Sequence, residues 1–587
     1  MNAITLLITA LLVFALAYRF YGVFIAAKVL AFNDKQETPA HQLKDGRDYH
    51  PTNKWVLFGH HFAAISGAGP LVGPVLAAQF GYLPGFLWIL VGAVLAGSVH
   101  DMVILFASVR HRGLSLSNIA KEQMGTPAGI ATAFAVLFII ITALAGLAVV
   151  VVNALAESPW AVFTILVTIP AALITALWMY KIRPGRIVEA SLIGISIVIL
   201  GVVLGEPISR SGLGEYLRFS KNTLSLSLPV YGFLASVLPV WLLLCPRDYL
   251  SSYMKLGTIV LLAAGILIVN PVIKMPALMP FIHGGGPIIP GKVWPYVCIT
   301  IACGAISGFH SLIGSGTTPK MINRESDILP IGYGAMLAEG LVSVMALIAA
   351  TCLVPGDYFA INLKPEVFQK LGYSISQLNG IQAMVGEQLS GRSGGAVSLA
   401  AGMAIILSSI PGMKTLMGYW YHFAIMFEAL FILTTVDTGT RVARYILQEM
   451  LKPVFPKFGK SSWMPGVLVT SFLISLAWGY LVYNNDISSI WPMFGVANQL
   501  LASAALFIGT IFILNLTEKW KYGLITFLPG IFMFATTLTA GIMNITVNYL
   551  PAKSYLNIGL SGIMIVLVLI IFGETIRKIV SIRKDMV

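Results

Sequence analysis

Apolar runs of roughly 17–25 residues recur from one end of the chain to the other, and nothing else in the sequence constrains the fold as strongly. At about 1.5 Å per helical residue, such a run crosses a hydrocarbon core of roughly 30 Å. Lipid offers no water to backbone N–H and C=O groups, so these runs dictate helices. Composition agrees: of 587 residues, 57% are hydrophobic and 10% charged, against about 25% charged in ordinary soluble domains. A chain so poor in charge could not cover a water-facing surface. No polar stretch is long enough for a separate soluble domain. The expected fold class is an all-α polytopic membrane protein.

Lys and Arg outnumber Asp and Glu, 37 to 24, for a net charge of +13. In a membrane protein this excess reads as positive-inside loops, with the bilayer as partner and no nucleic acid. The four cysteines, Cys245, Cys298, Cys303 and Cys352, lie in or beside apolar segments without CxxC spacing, so neither a disulfide framework nor a zinc finger is implied. The N-terminal run lacks a basic leader and a cleavage site and reads as a retained first span.

Spans are expected near 3–30, 58–79, 84–109, 128–152, 159–180, 187–204, 228–250, 256–275, 296–315, 331–354, 415–436, 464–483, 492–515, 525–546 and 555–572. The basic residues of 32–57, then Arg110, Arg112 and Lys121, Lys181, Arg183 and Arg186, Lys255, Lys320 and Arg324, and the C-terminal Arg577 to Lys584 all fall on one side. This places the N-terminus outside and the C-terminus in the cytoplasm, in an inner membrane. To keep Arg441, Arg444, Lys452, Lys457 and Lys460 inside, 394–411 is read as re-entrant or interfacial. Segments 113–126 and 437–451 read as amphipathic surface helices.

The span 58–79, GHHFAAISGAGPLVGPVLAAQF, carries Gly67, Gly69 and Gly73 beside Pro70 and Pro74. Proline removes a helix donor and displaces the preceding residue from the α region, so the helix should unwind near its middle. Freed groups at membrane depth need neighbours, water or a ligand. A half-helix N-terminus suits a carboxylate, and freed carbonyls suit a cation. A packing kink is the plainer alternative. A second break is expected at 238–255, where Cys245, Pro246, Arg247 and Asp248 adjoin. Arg247 and Asp248 are either a substrate or gating contact or headgroup residues at a helix end. Five spans separate the two breaks, so the second set of five starts from the opposite side, the signature of an inverted repeat.

The expected organisation is an extra N-terminal helix (1–31), a cytoplasmic loop (32–57), a first five-helix repeat (58–204), a second (205–436), a cytoplasmic amphipathic helix and loop (437–463), and about four C-terminal helices with a short tail (464–587). Candidate substrate contacts are Ser66, Gly67, Gly69, Pro70, Gly73, Cys245, Arg247, Asp248 and His310. Candidate ion-coupling or gating groups are His60, His61, Asp101, Ser311, Ser315, Thr317, Glu339, Glu428 and Asp437. Carboxylates inside apolar runs are costly and so point to function. The serine hydroxyls either hold a cation or bond the preceding turn, and Asp437 either couples or pairs with Arg441 one turn on. Adjacent His60 and His61 suit one tetrahedral metal site poorly. No Walker motif or HExxH appears, so ATP-driven pumping is unsupported.

The stretches YRFYG (18–22), LFGHHFAAISGAGPLVGPVLAAQFGYLPG (57–85), RPGR (183–186), CPRDYLS (245–251), SGFHSLIGSGTTPK (307–320), GYGAMLAEG (332–340) and YHFAIMFEALFILTTVDTGTR (421–441) resemble the carbon starvation protein A family. The resemblance implies an inner-membrane transporter related to the amino acid–polyamine–organocation superfamily, with an inverted five-plus-five core. It also implies ion-coupled uptake of peptides or pyruvate when preferred carbon is scarce. The expectation is therefore a secondary transporter, not an enzyme, with a coupling proton or Na+ and no other cofactor. A short peptide is the leading substrate and pyruvate the next. A channel or nutrient sensor is the rival reading.

Overall fold

Helices form wherever the apolar runs leave no other way to satisfy the backbone, and among the described residues the chain is helical with only isolated bridges of extended backbone. The computed structural model describes all residues except 46–48, 184–185, 239–243, 460–462, 518 and 586–587. Among the described residues eleven helices are long and apolar enough to cross a membrane, or twelve if a pair bent by 47°, Lys54–Ile65 with Gly69–Phe80, counts as one span. The chain is a polytopic membrane protein.

The remaining three expected spans take other forms. In place of 228–250 and 256–275, helices run over Lys221–Val237 and Leu244–Val269. Pro246 lies within the second of these, and 239–243, the part of the expected break between the two helices, lies outside the described residues. The loop expected at Lys255 is therefore helix, and the Lys255 ammonium lies 3.6 Å from the Phe431 ring centroid. In place of 296–315 stand two short helices, Val293–Thr300 and Gly308–Gly314. The segment read as non-spanning contains the helix Ala396–Ser408, whose 13 residues extend about 20 Å, short of a hydrocarbon core of roughly 30 Å. The surface helix expected over 113–126 is present as Leu116–Met124.

The chain divides into two compact units, each discontinuous in sequence. The first comprises 1–4, 140–276 and 348–490; the second comprises 5–139, 277–347 and 491–587.

In the first unit, helix Met417–Leu451 runs unbroken for 35 residues, so the boundary expected at 436 and the separate helix over 437–451 do not exist. Asp437, Arg441 and Arg444 are buried, for an identifiable reason. Asp437 accepts from the Tyr231 hydroxyl at 2.7 Å and lies 3.2 Å from Arg247 Nη1, which also bonds Tyr231. Arg441 does not pair with Asp437 by hydrogen bond; it donates to the carbonyls of Ala235 and Leu238, and Arg444 donates to Ser236. Both cations thus cap the C-terminal end of helix Lys221–Val237, where free carbonyls carry negative partial charge. The side chains of Cys245 and Asp248 lie outside the described residues.

Removing one partner of a buried ion pair leaves the other uncompensated, at a cost of about 3–5 kcal/mol. Arg247→Met is therefore expected to lower the melting temperature of the detergent-solubilised protein sharply. The double change Arg247→Met with Asp437→Leu should recover most of the loss. A double variant as unstable as the single one would show that the pair is not the source.

Candidate functional site

The second unit holds both broken helices. The first, Lys54–Ile65, is capped by Asn53, whose side chain accepts from the Trp55 N–H at 3.0 Å. It ends at Ser66, and a second half resumes at Gly69. The break falls just before Pro70, as the sequence implies. Pro74, by contrast, stays inside the second half. Its missing N–H would orphan the Pro70 carbonyl, and the Ser343 hydroxyl takes that place at 3.1 Å. The Ser66 hydroxyl is buried and has no hydrogen-bond partner among the described residues.

The second broken helix was not foreseen as a break. Between Thr300 and Gly308 the backbone leaves the helix, and side chains replace the lost bonds. Trp491 Nε1 donates to the Thr300 carbonyl and Trp88 Nε1 to that of Ile301, at 3.2 and 3.1 Å. Gln499 bridges the gap, donating to Cys298 and Ile306 carbonyls at 3.1 and 3.2 Å. Asn498 accepts from the Phe309 N–H at 3.0 Å and the Ser307 hydroxyl at 3.2 Å. Helix Ile487–Thr517, assigned no role from sequence, thus supports an unwound segment. The polar Asn498–Gln499 pair inside an apolar run, with Gly304 and Gly308 in the partner segment, was the available signal.

The two breaks meet through glycine. A Cβ on Gly69 would stand 2.3 Å from Cys303 Sγ, and one on Gly73 would stand 2.5 Å from the Thr300 carbonyl oxygen. These glycines serve close helix approach, whereas Gly67 has nothing nearer than the Ile65 carbonyl at 3.9 Å.

Beside them lies a buried line of ionisable groups. Asp101 Oδ1 meets His100 Nδ1 at 2.7 Å, and Oδ2 meets His310 Nδ1 at 2.8 Å. His310 Nε2 lies 3.0 Å from Glu339 Oε2, close enough for an ion pair though not aligned as a hydrogen bond. All four side chains are at most 1% exposed. An imidazole between two carboxylates can accept a proton at one nitrogen and release it from the other. His61 bonds Thr318 through Nδ1 at 2.8 Å, and its Nε2 has no partner among the described residues.

Other candidates sit apart from this line. His60 is exposed, as is Thr317. The Ser311 hydroxyl donates to Gly308 and that of Ser315 to Ser311, while Ser315 also accepts from the Leu116 N–H at 3.0 Å. Glu428 belongs to the first unit, buried, with neither carboxylate oxygen partnered among the described residues. Arg247 and Asp437 belong to that unit too. Among the described residues no His, Cys, Asp or Glu group of three or more is arranged to hold a metal.

The family model described as carbon starvation protein CstA matches residues 2–540. The chain belongs to that family. Its CstA-family relatives include a protein of Bacillus subtilis (strain 168) named peptide transporter CstA, 50% identical, covering 100% of this chain and 98% of that protein. A protein of Escherichia coli (strain K12) with the same name is 47% identical over 92% of this chain and 81% of its own. A second from that organism, named pyruvate/proton symporter BtsT, is 43% identical with the same coverage, 92% and 81%. Among solved structures, a manganese transporter of Eremococcus coleocola aligns over 90% of this chain and 94% of its own, at 15% identity and a TM-score of 0.43. The CstA-family chain is thus a membrane transporter.

Proposed function

We propose that the chain imports small peptides by proton symport across the inner membrane during carbon starvation. The observation that carries the coupling is the buried line Asp101–His310–Glu339, which joins two carboxylates through one imidazole. The hydroxyls of Ser311 and Ser315, the groups that could hold Na+, donate to carbonyls of their own helix, which favours the proton. The half-helix beginning at Gly69 offers an N-terminal dipole to the substrate carboxylate, with the unpartnered Ser66 hydroxyl beside it. Peptide is preferred because most of the similar CstA-family proteins carry that name; pyruvate is the second reading, favoured by the relative named as a pyruvate/proton symporter. The reading includes an external N-terminus and a five-plus-five inverted core, supported by the loop charges and by the break that opens the first five spans.

The test is uptake of labelled dipeptide and labelled pyruvate into proteoliposomes under an imposed proton gradient and, separately, a sodium gradient. Dipeptide accumulation that collapses with the proton gradient is expected. Pyruvate accumulation alone would select the second reading. Equilibration without accumulation would indicate a channel, and binding without movement a sensor.

A further inference from the structure

The first unit contains a cavity of about 530 Å³ that uses none of the residues discussed so far, within the size range of small-molecule sites. It opens where helices Thr126–Leu155 and Ile187–Ser209 end and where Pro159–Leu177 and Met417–Leu451 begin. Lys181, Arg183 and Arg186 lie at the opposite end of two of these helices, so by loop charge the cavity faces outward.

Its floor is a fixed polar group. The Glu387 carboxylate accepts from the Ser158 hydroxyl at 2.5 Å and from Arg392 Nη1 at 2.9 Å. Arg392 donates further to the carbonyls of Ala154 and Asn153, at the C-terminal end of a helix that favours a cation. Burial alone would raise the Glu387 carboxyl, but His422, Arg392 and Ser158 hold it below the usual carboxylate range. One wall is aromatic: Trp160 stacks on His422 with centroids 3.8 Å apart and takes the edge of Tyr419 at 5.4 Å.

The rim carries both signs of charge. Glu157 is exposed, with no ion pair among the described residues, and its backbone is held at φ +56°. A non-glycine residue there is strained, and such strain concentrates at ligand sites. Arg218, half-exposed, has only a loose contact with Glu215 at 3.7 Å. A carboxylate and a guanidinium not paired with each other, on the rim of a cavity with an aromatic wall, match a ligand with a free ammonium, a free carboxylate and an apolar side chain.

We propose that this cavity is an outer-face binding site for a zwitterionic short peptide, loaded before translocation; its role in uptake rests on the peptide-importer reading. The test is equilibrium binding of a labelled dipeptide with one aromatic residue to the full chain in detergent. It compares wild type with the double variant Glu157→Gln, Arg218→Gln, and dipeptide with its N-acetylated form as competitor. Both positions are at the rim, so folding should be retained, and unchanged elution and melting verify it. The double variant is expected to bind roughly tenfold more weakly, the loss expected of two exposed charge contacts. The N-acetylated peptide, lacking the ammonium, should compete poorly. In uptake from the outside, KM should rise with Vmax preserved. Binding that ignores both substitutions, or equal competition by the N-acetylated peptide, would overturn the site. Rim-dependent binding without gradient-driven uptake would leave the site standing and remove the importer reading. Gradient-driven dipeptide uptake with rim-independent binding would do the reverse.

Discussion

Asp101→Asn is expected to abolish proton-driven accumulation while leaving substrate exchange intact. The substitution preserves the volume of the side chain but removes the carboxylate that joins His100 to His310. An amide cannot exchange a proton with the imidazole, so the line to Glu339 loses the carboxylate at its other end. One coupled proton supports about tenfold accumulation per unit of pH difference, because 1.36 kcal/mol is a factor of ten. The variant should therefore fall from that ratio to about one. Counterflow, in which labelled substrate enters against unlabelled substrate with no gradient, needs no net proton movement and should persist. That persistence separates loss of coupling from loss of folding. Glu339→Gln should behave in the same way, since its carboxylate is the other partner of His310. Full accumulation by Asp101→Asn would remove this line from the coupling pathway.

The sequence made the membrane class and the first broken helix legible, because both depend on local chemistry. Long apolar runs and a proline after Gly-Ala-Gly act over a few residues, whatever the rest of the chain does. Pro74 stays inside its helix for a reason that lies further away. Ser343, far along the chain, satisfies the carbonyl orphaned at Pro70. Arg247 pairs with Asp437, almost two hundred residues along the chain. No short-range rule identifies a pair so distant in sequence. Likewise Asp101 and Glu339 stand out by intramembrane charge and His310 as a candidate substrate contact, but nothing in their spacing foretells that one imidazole touches both carboxylates. The second broken helix was missed because Gly304 and Gly308 without proline are a weak signal, and Asn498 and Gln499 gain meaning only beside it.

Gly73→Val is expected to prevent folding, and the glycines of the first break should divide by what they face. At Gly73 a Cβ would meet the Thr300 carbonyl oxygen at 2.5 Å and the Ile301 Cα at 3.2 Å. Both are backbone, and moving them would disturb the bonds that Trp491 and Trp88 make to these carbonyls. Overpacking in a dense interior costs about 1–3 kcal/mol, and occasionally more. With rigid partners and two further methyl groups, the loss here should be at least about 3 kcal/mol, seen as little monodisperse protein on size exclusion. Gly69→Ala meets a side chain instead, Cys303 Sγ at 2.3 Å and Cβ at 2.7 Å, so the double change with Cys303→Gly should restore folding. Gly67→Ala meets nothing closer than 3.9 Å and should fold normally. It is therefore the informative position for the substrate: a Gly67→Ala protein that is folded but transports poorly would place the ligand against this stretch of backbone. Normal uptake by that variant would confine the role of the break to packing between the two broken helices. A well-folded Gly73→Val protein with native melting would show that the helices can separate at this contact, and would refute the close approach on which that packing rests.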